Sequence, residues 1–329
     1  MLFECCSLFS LLLLLCSGIT DGGLYNQDSL QLGVCMEDGS LQLSISGVEL
    51  GQGINTKVIQ TLCYEISAGL GITLSMDNFR MGDNNTSVVC NGSQTGGSST
   101  SEACCAVAVL AAAELVSRLK PIQAANPKIT TWPALVAAAE AALVNLQISS
   151  QYFTPTAPTN AQFSYFVFAT ACSQVELDVL TGEYQVLAVD IVYDCGNSLS
   201  PLVDLGQIEG GFLMGLGHAL FEEAAFAPTT GELVTKGSWD YHIASSQDIP
   251  IKFNVSLLPN APNKAGILNS KATAEPPVML ATSAFCALRD CIMAARTDAG
   301  LTGWFDMPTP ATTARVQTAC GITPASLVL

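Results

Sequence analysis

Glu275 is the first candidate for a catalytic residue, because it lies in a stiff and weakly charged segment. Residues 270–277 read Ser-Lys-Ala-Thr-Ala-Glu-Pro-Pro, and an apolar stretch with helical spacing follows over 278–296. Pro276 and Pro277 can open that helix, since an N–H in the first turn has no partner within the helix. A carboxylate held by a rigid backbone suits a general base. Taken alone, the segment also fits a solvated glutamate in a turn.

The tripeptide Gly51-Gln52-Gly53 joins a predicted strand to a predicted helix. Alternating apolar and polar residues over 30–50 predict two strands with a turn at Asp38-Gly39, and residues 56–70 follow as a helix. Glycines at such a junction let backbone N–H groups approach a ligand, and the helix N-terminus favours an anion. A plain tight turn is the other interpretation.

A second loop, rich in Gly, Ser and Thr, spans residues 91–102 and leads into an Ala-rich helix predicted over 103–119. Its glycines permit close approach of the backbone, and its hydroxyl groups can bind a phosphate or a pterin. The residues with these properties are Gly96, Gly97, Ser98, Ser99 and Thr100. Ser99 and Glu102 have the spacing of a capping box. A flexible linker is the alternative, and no Gly-Lys-Ser/Thr follows, so the loop is not a P-loop.

Residues 204–223 are apolar at helical spacing yet include five glycines. Each glycine costs a helix about 1 kcal/mol relative to alanine, so we expect close contact with another backbone or with a ligand. Gln207, near the start of this helix, is a candidate ligand contact. His218 is expected to be a core histidine rather than a metal ligand, because no partner ligands lie at metal spacing. A membrane helix is the rival interpretation, which the four acidic residues of the stretch disfavour.

The composition excludes several classes of function. The chain has 329 residues, of which 49% are hydrophobic and 12% charged, enough for one or two domains with a large core. A net charge of −16 and the lack of a basic patch argue against a nucleic-acid partner. The 13 cysteines are scattered without a Cys-x-x-Cys pair, so neither a zinc ribbon nor an iron–sulfur ligand set is expected within this chain.

The remaining pattern predicts an α+β fold. Residues 133–146 are expected to form a helix, and 149–162 a connection rich in Pro and Thr. Two alternating strands, 168–179 and 184–192, are joined at Thr181-Gly182, which is typical of a hairpin. Strands and helices both occur along the chain, as an α+β fold requires.

The ends of the chain are set apart from the central domain. Residues 1–22 form an apolar segment with the core of a signal peptide, but Glu4 precedes that core and no Lys or Arg does. The alternatives are a cytosolic start or a chain cut out of a longer one. The predicted organisation is therefore this segment, a domain over 23–321 and a tail over 322–329. The expected location is cytoplasmic, with secretion as the alternative.

Four motifs occur in the order found in xanthine dehydrogenases and aldehyde oxidases. The chain resembles their C-terminal molybdopterin-binding half from about Gly23 to about Gly321. The motifs are Gly51-Gln52-Gly53, Thr-Gly-Gly-Ser-Ser-Thr at 95–100, Asp-Leu-Gly-Gln-Ile-Glu-Gly at 204–210, and Ser270-Lys271 through Glu275-Pro276-Pro277. The resemblance implies a two-lobed molybdenum-cofactor-binding domain in which mixed sheets pack against helices.

The resemblance also implies an activity and a site. The activity is that of a molybdenum hydroxylase, an oxidoreductase that adds oxygen from water to a purine, another N-heterocycle or an aldehyde. Glu275 takes the place of the catalytic base. The positions that correspond to cofactor-binding residues are Gln52, Gly97, Ser98, Thr100 and Gln207, with Ser99 in the same loop. No protein side chain is expected to ligate the molybdenum, which is held through the pterin.

The same resemblance implies partners outside this chain. The [2Fe-2S] clusters, the FAD and the first half of the molybdenum domain are expected on portions that the chain lacks, and the full assembly is expected to be a homodimer. The isolated chain is expected to be inactive, and its glycine-rich helix to lack a close backbone partner. Ala274 departs from the glycine usual before the glutamate, and its methyl group could crowd the site. The alternative hypothesis is a non-catalytic remnant of the fold, secreted or not, that acts in binding or assembly.

Overall fold

The computed structural model describes residues 2–11, 27–153 and 165–321. Eight strands lie within these ranges: β1 Leu2–Leu11, β2 Gln27–Val34, β3 Leu41–Ile45, β4 Phe79–Met81, β5 Gln147–Phe153, β6 Ala169–Asp178, β7 Tyr184–Tyr193 and β8 Lys252–Leu257. The α-helices are α1 Ile54–Leu70, α2 Thr100–Ala125, α3 Trp132–Ala141, α4 Pro201–Leu216, α5 Thr282–Asp298 and α6 Thr313–Ala319. The α+β prediction is confirmed.

The first lobe is built on a mixed sheet with the order β4-β3-β2-β5. Strands β2 and β3 pair antiparallel, as predicted, and Gly39 takes a left-handed φ of 74° in the turn between them. Apolar residues of β2 and β3 form one face of the sheet, which packs against α2, and α1 packs in turn against α2. Leu30, Leu43, Ile66 and Leu115 lie fully buried in this core.

The second lobe is built on a second mixed sheet with the order β1-β6-β7-β8. The predicted hairpin of β6 and β7 is present, with Gly182 at a φ of 78° in its turn. Helices α4 and α5 cover this sheet, and Phe212, Ile292 and Tyr193 lie in its core. The stretch Pro276–Asp298 is apolar enough to span a membrane by length and composition alone, but half of it is buried inside the lobe.

Residues 2–11 of the apolar N-terminal segment form an edge strand of the second lobe. Strand β1 pairs antiparallel with β6 from Leu2, opposite Asp178, to Leu11, opposite Ala169. The backbone groups along one edge of β6 are thereby hydrogen-bonded rather than left at an open edge. The rest of this segment, the greater part of the predicted Pro/Thr-rich connection and the tail over 322–329 lie outside the described residues.

Three local predictions are wrong. Gln147–Phe153 is a strand rather than part of a connection, because Ile148 and Ser150 alternate inward against β2. Helix α3 ends at Ala141 instead of residue 146, since Leu143 takes a left-handed φ of 57°. The helix after Glu275 begins as a 3₁₀ turn over Pro276–Ala281, and the α-helical part starts only at Thr282.

Candidate cofactor site

A cavity of about 600 Å³ lies between the two lobes. Each of the four sequence motifs contributes to its wall. The first lobe supplies the loop before α1 and the loop before α2, and the second lobe supplies α4 and the segment that carries Glu275. Of the predicted site residues, the ones that line this cavity are Gln52, Ser98, Thr100, Gln207 and Glu275. Gly97 and Ser99 lie in the same loop, between lining residues, but are not themselves part of the wall.

The loop before α1 is held by its own side chains. The carboxylate of Glu49 accepts hydrogen bonds from the backbone N–H groups of Gly51, Gly53 and Asn55 at 3.0, 2.9 and 3.1 Å. An internal carboxylate thus occupies the position at the start of α1 that the sequence offered to a ligand anion. The amide of Gln52 is used locally too, since it donates to Val48 O at 2.8 Å and accepts from the Leu50 N–H.

The loop before α2 approaches the cavity through a left-handed turn. Gly97 has a φ of 64° and Ser98 a φ of 53°, a conformation that a non-glycine residue adopts only at a cost. A Cβ added to Gly97 would approach no atom closer than 3.9 Å, so the conformation, and not crowding, calls for glycine there. Ser98 is held in place because its Oγ accepts a hydrogen bond from the Glu275 N–H at 3.1 Å.

The N-terminus of α2 lies at the cavity wall, without the capping box that the sequence predicted. Thr100 and Ser101, in the first turn of α2, line the cavity, and N–H groups at the start of a helix generally lie free of intrahelical acceptors. The capping box itself is wrong: Ser99 is helical, with φ −102° and ψ −22°, and its side chain makes no cap hydrogen bond. Its Oγ donates instead to Gly96 O at 3.3 Å.

The segment that carries Glu275 is anchored residue by residue. Lys271 Nζ binds the buried carboxylate of Asp194 at 2.6 Å. The Tyr193 hydroxyl donates to Ala272 O at 2.7 Å, and burial raises the pKa of Tyr193 well above its usual value, so this donor keeps its proton. Glu275 itself is exposed and opens on the cavity. A rigid backbone therefore presents a solvent-accessible carboxylate.

Helix α4 packs its glycines against that same segment. A Cβ on Gly211 would lie 2.7 Å from Ala274 O, and one on Gly215 would lie 2.1 Å from Val278 O. The close backbone partner that the glycines require is therefore within this chain, and the expectation that the isolated chain lacks it is wrong for these two positions. On another side of the helix, a Cβ added to Gly206 or to Gly210 would meet no atom within 4 Å, and Gly210 lines the cavity with Gln207.

Comparison with known proteins shows the family of the chain. The family model described as "Molybdopterin cofactor-binding domain" matches residues 14–250. The chain belongs to the molybdopterin cofactor-binding domain family. The resemblance seen in the four motifs is thus confirmed at the level of the family.

Relatives of this molybdopterin-binding chain carry the names of both expected enzyme groups. It is 39% identical over 297 residues to an indole-3-acetaldehyde oxidase of Arabidopsis thaliana, covering 87% of this chain and 22% of that protein. It is 36% identical over 292 residues to a xanthine dehydrogenase of Dictyostelium discoideum, covering 86% and 21%. The chain therefore spans about a fifth of the length of these curated relatives.

The fold of the molybdopterin-binding chain also matches a solved enzyme structure. Quinoline 2-oxidoreductase from Pseudomonas putida 86 superposes with a TM-score of 0.75 over 98% of this chain and 42% of that chain, at 19% sequence identity. At this level of identity the match speaks for the fold alone. It confirms the predicted architecture of mixed sheets packed with helices.

The donors around the cavity fit a pterin with a phosphate arm. Both lysines in the wall are committed to aspartates, Lys57 to Asp204 and Lys271 to Asp194, each at 2.6 Å. The wall also contains two acidic residues, Glu102 and Glu275. A phosphate would accordingly be bound by backbone N–H and hydroxyl groups at the start of α2 rather than by an ammonium group, as helix N-termini commonly do.

No metal site is built from side chains alone in the ranges that the structure describes: it has no group of three or more His, Cys, Asp and Glu placed to hold an ion. The expectation that His218 lies in the core is wrong. The side chain is exposed, because helix α4 continues into the π-helical turn Gly217–Phe221, where the change in helical pitch alters which side of the turn faces inward.

Sequence reasoning misses several residues that shape the cavity and its surroundings. Glu49 has no clear sequence signal, because it lies five residues before the first residue of α1, outside the cap and first-turn positions where an acidic residue is expected. Lys57 carries no such signal, since a lysine inside an amphipathic helix is usually solvent-exposed. Its partner Asp204 stands out in the sequence only as an acidic residue of a motif. Thr273, which donates to Asp204 Oδ1 at 3.1 Å, has no signal of its own either.

Proposed function

We propose that this chain is the cofactor-binding part of a molybdenum hydroxylase, which oxidises purines, other N-heterocycles or aldehydes with oxygen from water. The observation that carries the proposal is the position of Glu275. The segment 270–277 brings its carboxylate to the cavity wall shared with the loop before α2, and the Ser98–Glu275 hydrogen bond joins the two. A general base and a cofactor cradle therefore face one space.

The residues divide the work between holding and proton transfer. Ser98, Thr100 and the first-turn N–H groups of α2 bind the phosphate arm, while Gln207 contacts the pterin or the metal. A molybdenum cofactor bound there would supply two-electron redox chemistry. Glu275 would accept a proton at its carboxylate from a group held in the cavity. Tyr193 and Lys271 keep the glutamate backbone in place, which limits the loss of rate from misalignment.

The substrate class and the partners rest on the resemblance and on the names of the relatives. Those names include an aldehyde oxidase and a xanthine dehydrogenase, so both an aldehyde and a purine are proposed substrates. The [2Fe-2S] clusters, the FAD and the first half of the molybdenum domain would belong to portions outside this chain, in a homodimeric assembly. A non-catalytic remnant is not favoured, because the segment around Glu275 is anchored as a catalytic group requires.

The proposed location is the cytoplasm. Ten cysteines in the described ranges are free thiols, which suits a reducing compartment. Two of them, Cys35 and Cys90, are exposed, where oxidising conditions would favour disulfide formation. Strand β1 also gives residues 2–11 a place in the fold. Labelling of the chain in fractionated cells would test the proposal, and recovery from the secreted fraction would contradict it.

Substitution of Glu275 tests the proposed activity. The chain is expressed with the portions of a molybdenum hydroxylase that it lacks, as wild type, as Glu275→Gln and as the control Lys236→Met. Lys236 forms an exposed ion pair with Glu232, outside the cavity. We expect Glu275→Gln to keep its molybdenum and pterin but to lose turnover of both an aldehyde and a purine, since the amide cannot accept the proton. Unchanged turnover in Glu275→Gln would refute the role of this residue.

A further inference from the structure

A buried ion pair crosses from one lobe to the other beside the cavity. Lys57 Nζ, on α1 of the first lobe, donates to Asp204 Oδ1, on α4 of the second lobe, at 2.6 Å. The two side chains are only 9% and 3% exposed. Next to the pair the lobes are in direct contact, because a Cβ on Gly53 would lie 2.7 Å from Val203 Cγ1. The pair thus lies where the lobes meet, and Lys57 also lines the cavity.

Asp204 accepts more than one hydrogen bond. Ser198 Oγ donates to its Oδ2 at 2.5 Å, and Thr273 Oγ1 donates to its Oδ1 at 3.1 Å. Thr273 is itself 4% exposed and lies two positions before Glu275. One carboxylate therefore ties α1, the start of α4 and the Glu275 segment to one point.

The chemistry of this cluster suits positioning better than stability. Taking two charges out of water costs several kcal/mol for each ion, and well-packed apolar residues often stabilise a protein as much as a buried ion pair does. A directional, charged contact can instead fix the register between two elements, because a displaced partner leaves a buried charge unpaired.

We propose that Lys57, Asp204 and Thr273 are positioning residues, which fix the Glu275 segment relative to the cofactor-binding lobe. Lys57 holds Asp204 across the contact between the lobes, and Asp204 in turn holds Thr273. The three side chains bind one another and act on the site through the position of Glu275. The inference deepens the proposed function, since the segment that is positioned carries the proposed base.

Hydrogen–deuterium exchange of the full chain tests the inference without cofactor or turnover. The variants are Lys57→Met, Thr273→Val and the double variant Lys57→Met/Asp204→Leu, with Lys236→Met as the control for an exposed lysine. In the first three variants we expect amide exchange over residues 271–275 to rise about ten-fold, while strands β2 and β6 stay within about two-fold of wild type. The control should leave both regions unchanged.

The double variant and Thr273→Val separate positioning from stability. The double variant has no unpaired buried charge, so its urea midpoint should return close to wild type, yet residues 271–275 should still exchange fast because Thr273 has lost its acceptor. Thr273→Val keeps the ion pair, so it tests the inference even if Lys57→Met fails to fold. Wild-type exchange over 271–275 in Thr273→Val and in the double variant, or an equal rise in all segments, would overturn the inference. Neither outcome depends on whether the chain binds molybdopterin, so the proposed function is judged separately.

Discussion

The backbone N–H of Glu275 donates to Oγ of Ser98 at 3.1 Å, although the two residues are 177 positions apart in the sequence. Ser98 belongs to the loop before α2 in the first lobe, and Glu275 to the second lobe. Ser98 also adopts a left-handed φ of 53°, which costs a non-glycine residue roughly 1 kcal/mol or more. The hydrogen bond offsets part of that cost, so the loop conformation and the position of the glutamate are coupled.

Two substitutions of Ser98 separate the hydrogen bond from the backbone conformation. Ser98→Ala removes the acceptor and keeps the cost of the left-handed φ, whereas Ser98→Gly removes both. We expect Ser98→Ala to lower the free energy of unfolding by about 1 kcal/mol, and Ser98→Gly to stay near wild type. Urea unfolding measures the difference. Equal losses in the two variants would show that the φ of this residue carries no cost.

Two glycines of α4 provide a matched pair for the packing between α4 and the Glu275 segment. Gly215→Ala would place a methyl group 2.1 Å from Val278 O, while Gly206→Ala meets no atom within 4 Å. We expect Gly215→Ala to cost about 2 kcal/mol or more, and Gly206→Ala to add up to about 1 kcal/mol through helix propensity. Thermal unfolding of both variants checks the signs. A neutral Gly215→Ala would contradict the close backbone approach.

The local elements of this fold were largely predictable because their signals are local. The hairpin of β6 and β7 follows from alternation and from Thr181-Gly182, and both glycine-rich loops precede helices as expected. The strand Gln147–Phe153 was not predicted, because the Pro and Thr residues that follow it in the sequence indicate a connection. An inward-facing serine also obscures the alternation of apolar and polar residues along the strand.

The site was predictable only where a motif marks it. Glu275 and Gln207 stand out in their own segments and lie in motifs that resemble a family, whereas Lys57 and Asp204 meet across 147 positions and neither residue indicates the other. Such a pair forms only when the two lobes pack together, and the residue pattern within one segment of the chain does not predict that packing. The role of Gln52 shows the same limit, because only the three-dimensional structure reveals that its amide is bonded within its own loop.

Asp28 should make the stability of the chain depend on pH. It is 1% exposed, and burial raises its pKa above the ordinary value of 3.8, against the effect of hydrogen bonds from Ser46 and Cys104. The folded chain therefore keeps this proton at a pH where the unfolded chain has lost it. Its contribution to stability is present at low pH and is lost as pH rises through the folded pKa. Asp28→Asn cannot ionise, so wild type should lose stability relative to that variant as pH rises from about 4.

The exposed Asp38 is the control for this titration. The Ser40 backbone N–H lowers the pKa of Asp38, so its contribution has the opposite sign and is lost as pH falls. Wild type should therefore lose stability relative to Asp38→Asn on acidification. Urea midpoints for the three chains at several pH values measure both trends. A difference between wild type and Asp28→Asn that does not change with pH would contradict the raised pKa.

The purified chain alone should associate. Leu50 and Met214 line the cavity and are 71% and 67% exposed, and Leu202 and Trp239 are exposed further still. Exposed apolar surface of this kind usually drives association. We expect light scattering to report oligomers or aggregates, hydrophobic dyes to bind, and hydroxylase activity to be absent. A compact monomer that binds no dye would instead favour a self-sufficient binding protein.

The central claim is that the cavity beside Ser98 and Glu275 holds molybdopterin, and the content of bound cofactor tests it most directly. The chain is expressed with its proposed partner portions, and molybdenum and pterin are measured by elemental analysis and fluorescence. The test variant is Gly97→Val, at a glycine with a φ of 64° in the loop before α2. The control is Gly231→Val, at an exposed glycine with a similar φ of 72° outside the cavity. We predict about one pterin per chain in wild type and in the control, and its loss in Gly97→Val. No pterin in wild type, or full retention in Gly97→Val, would contradict the account.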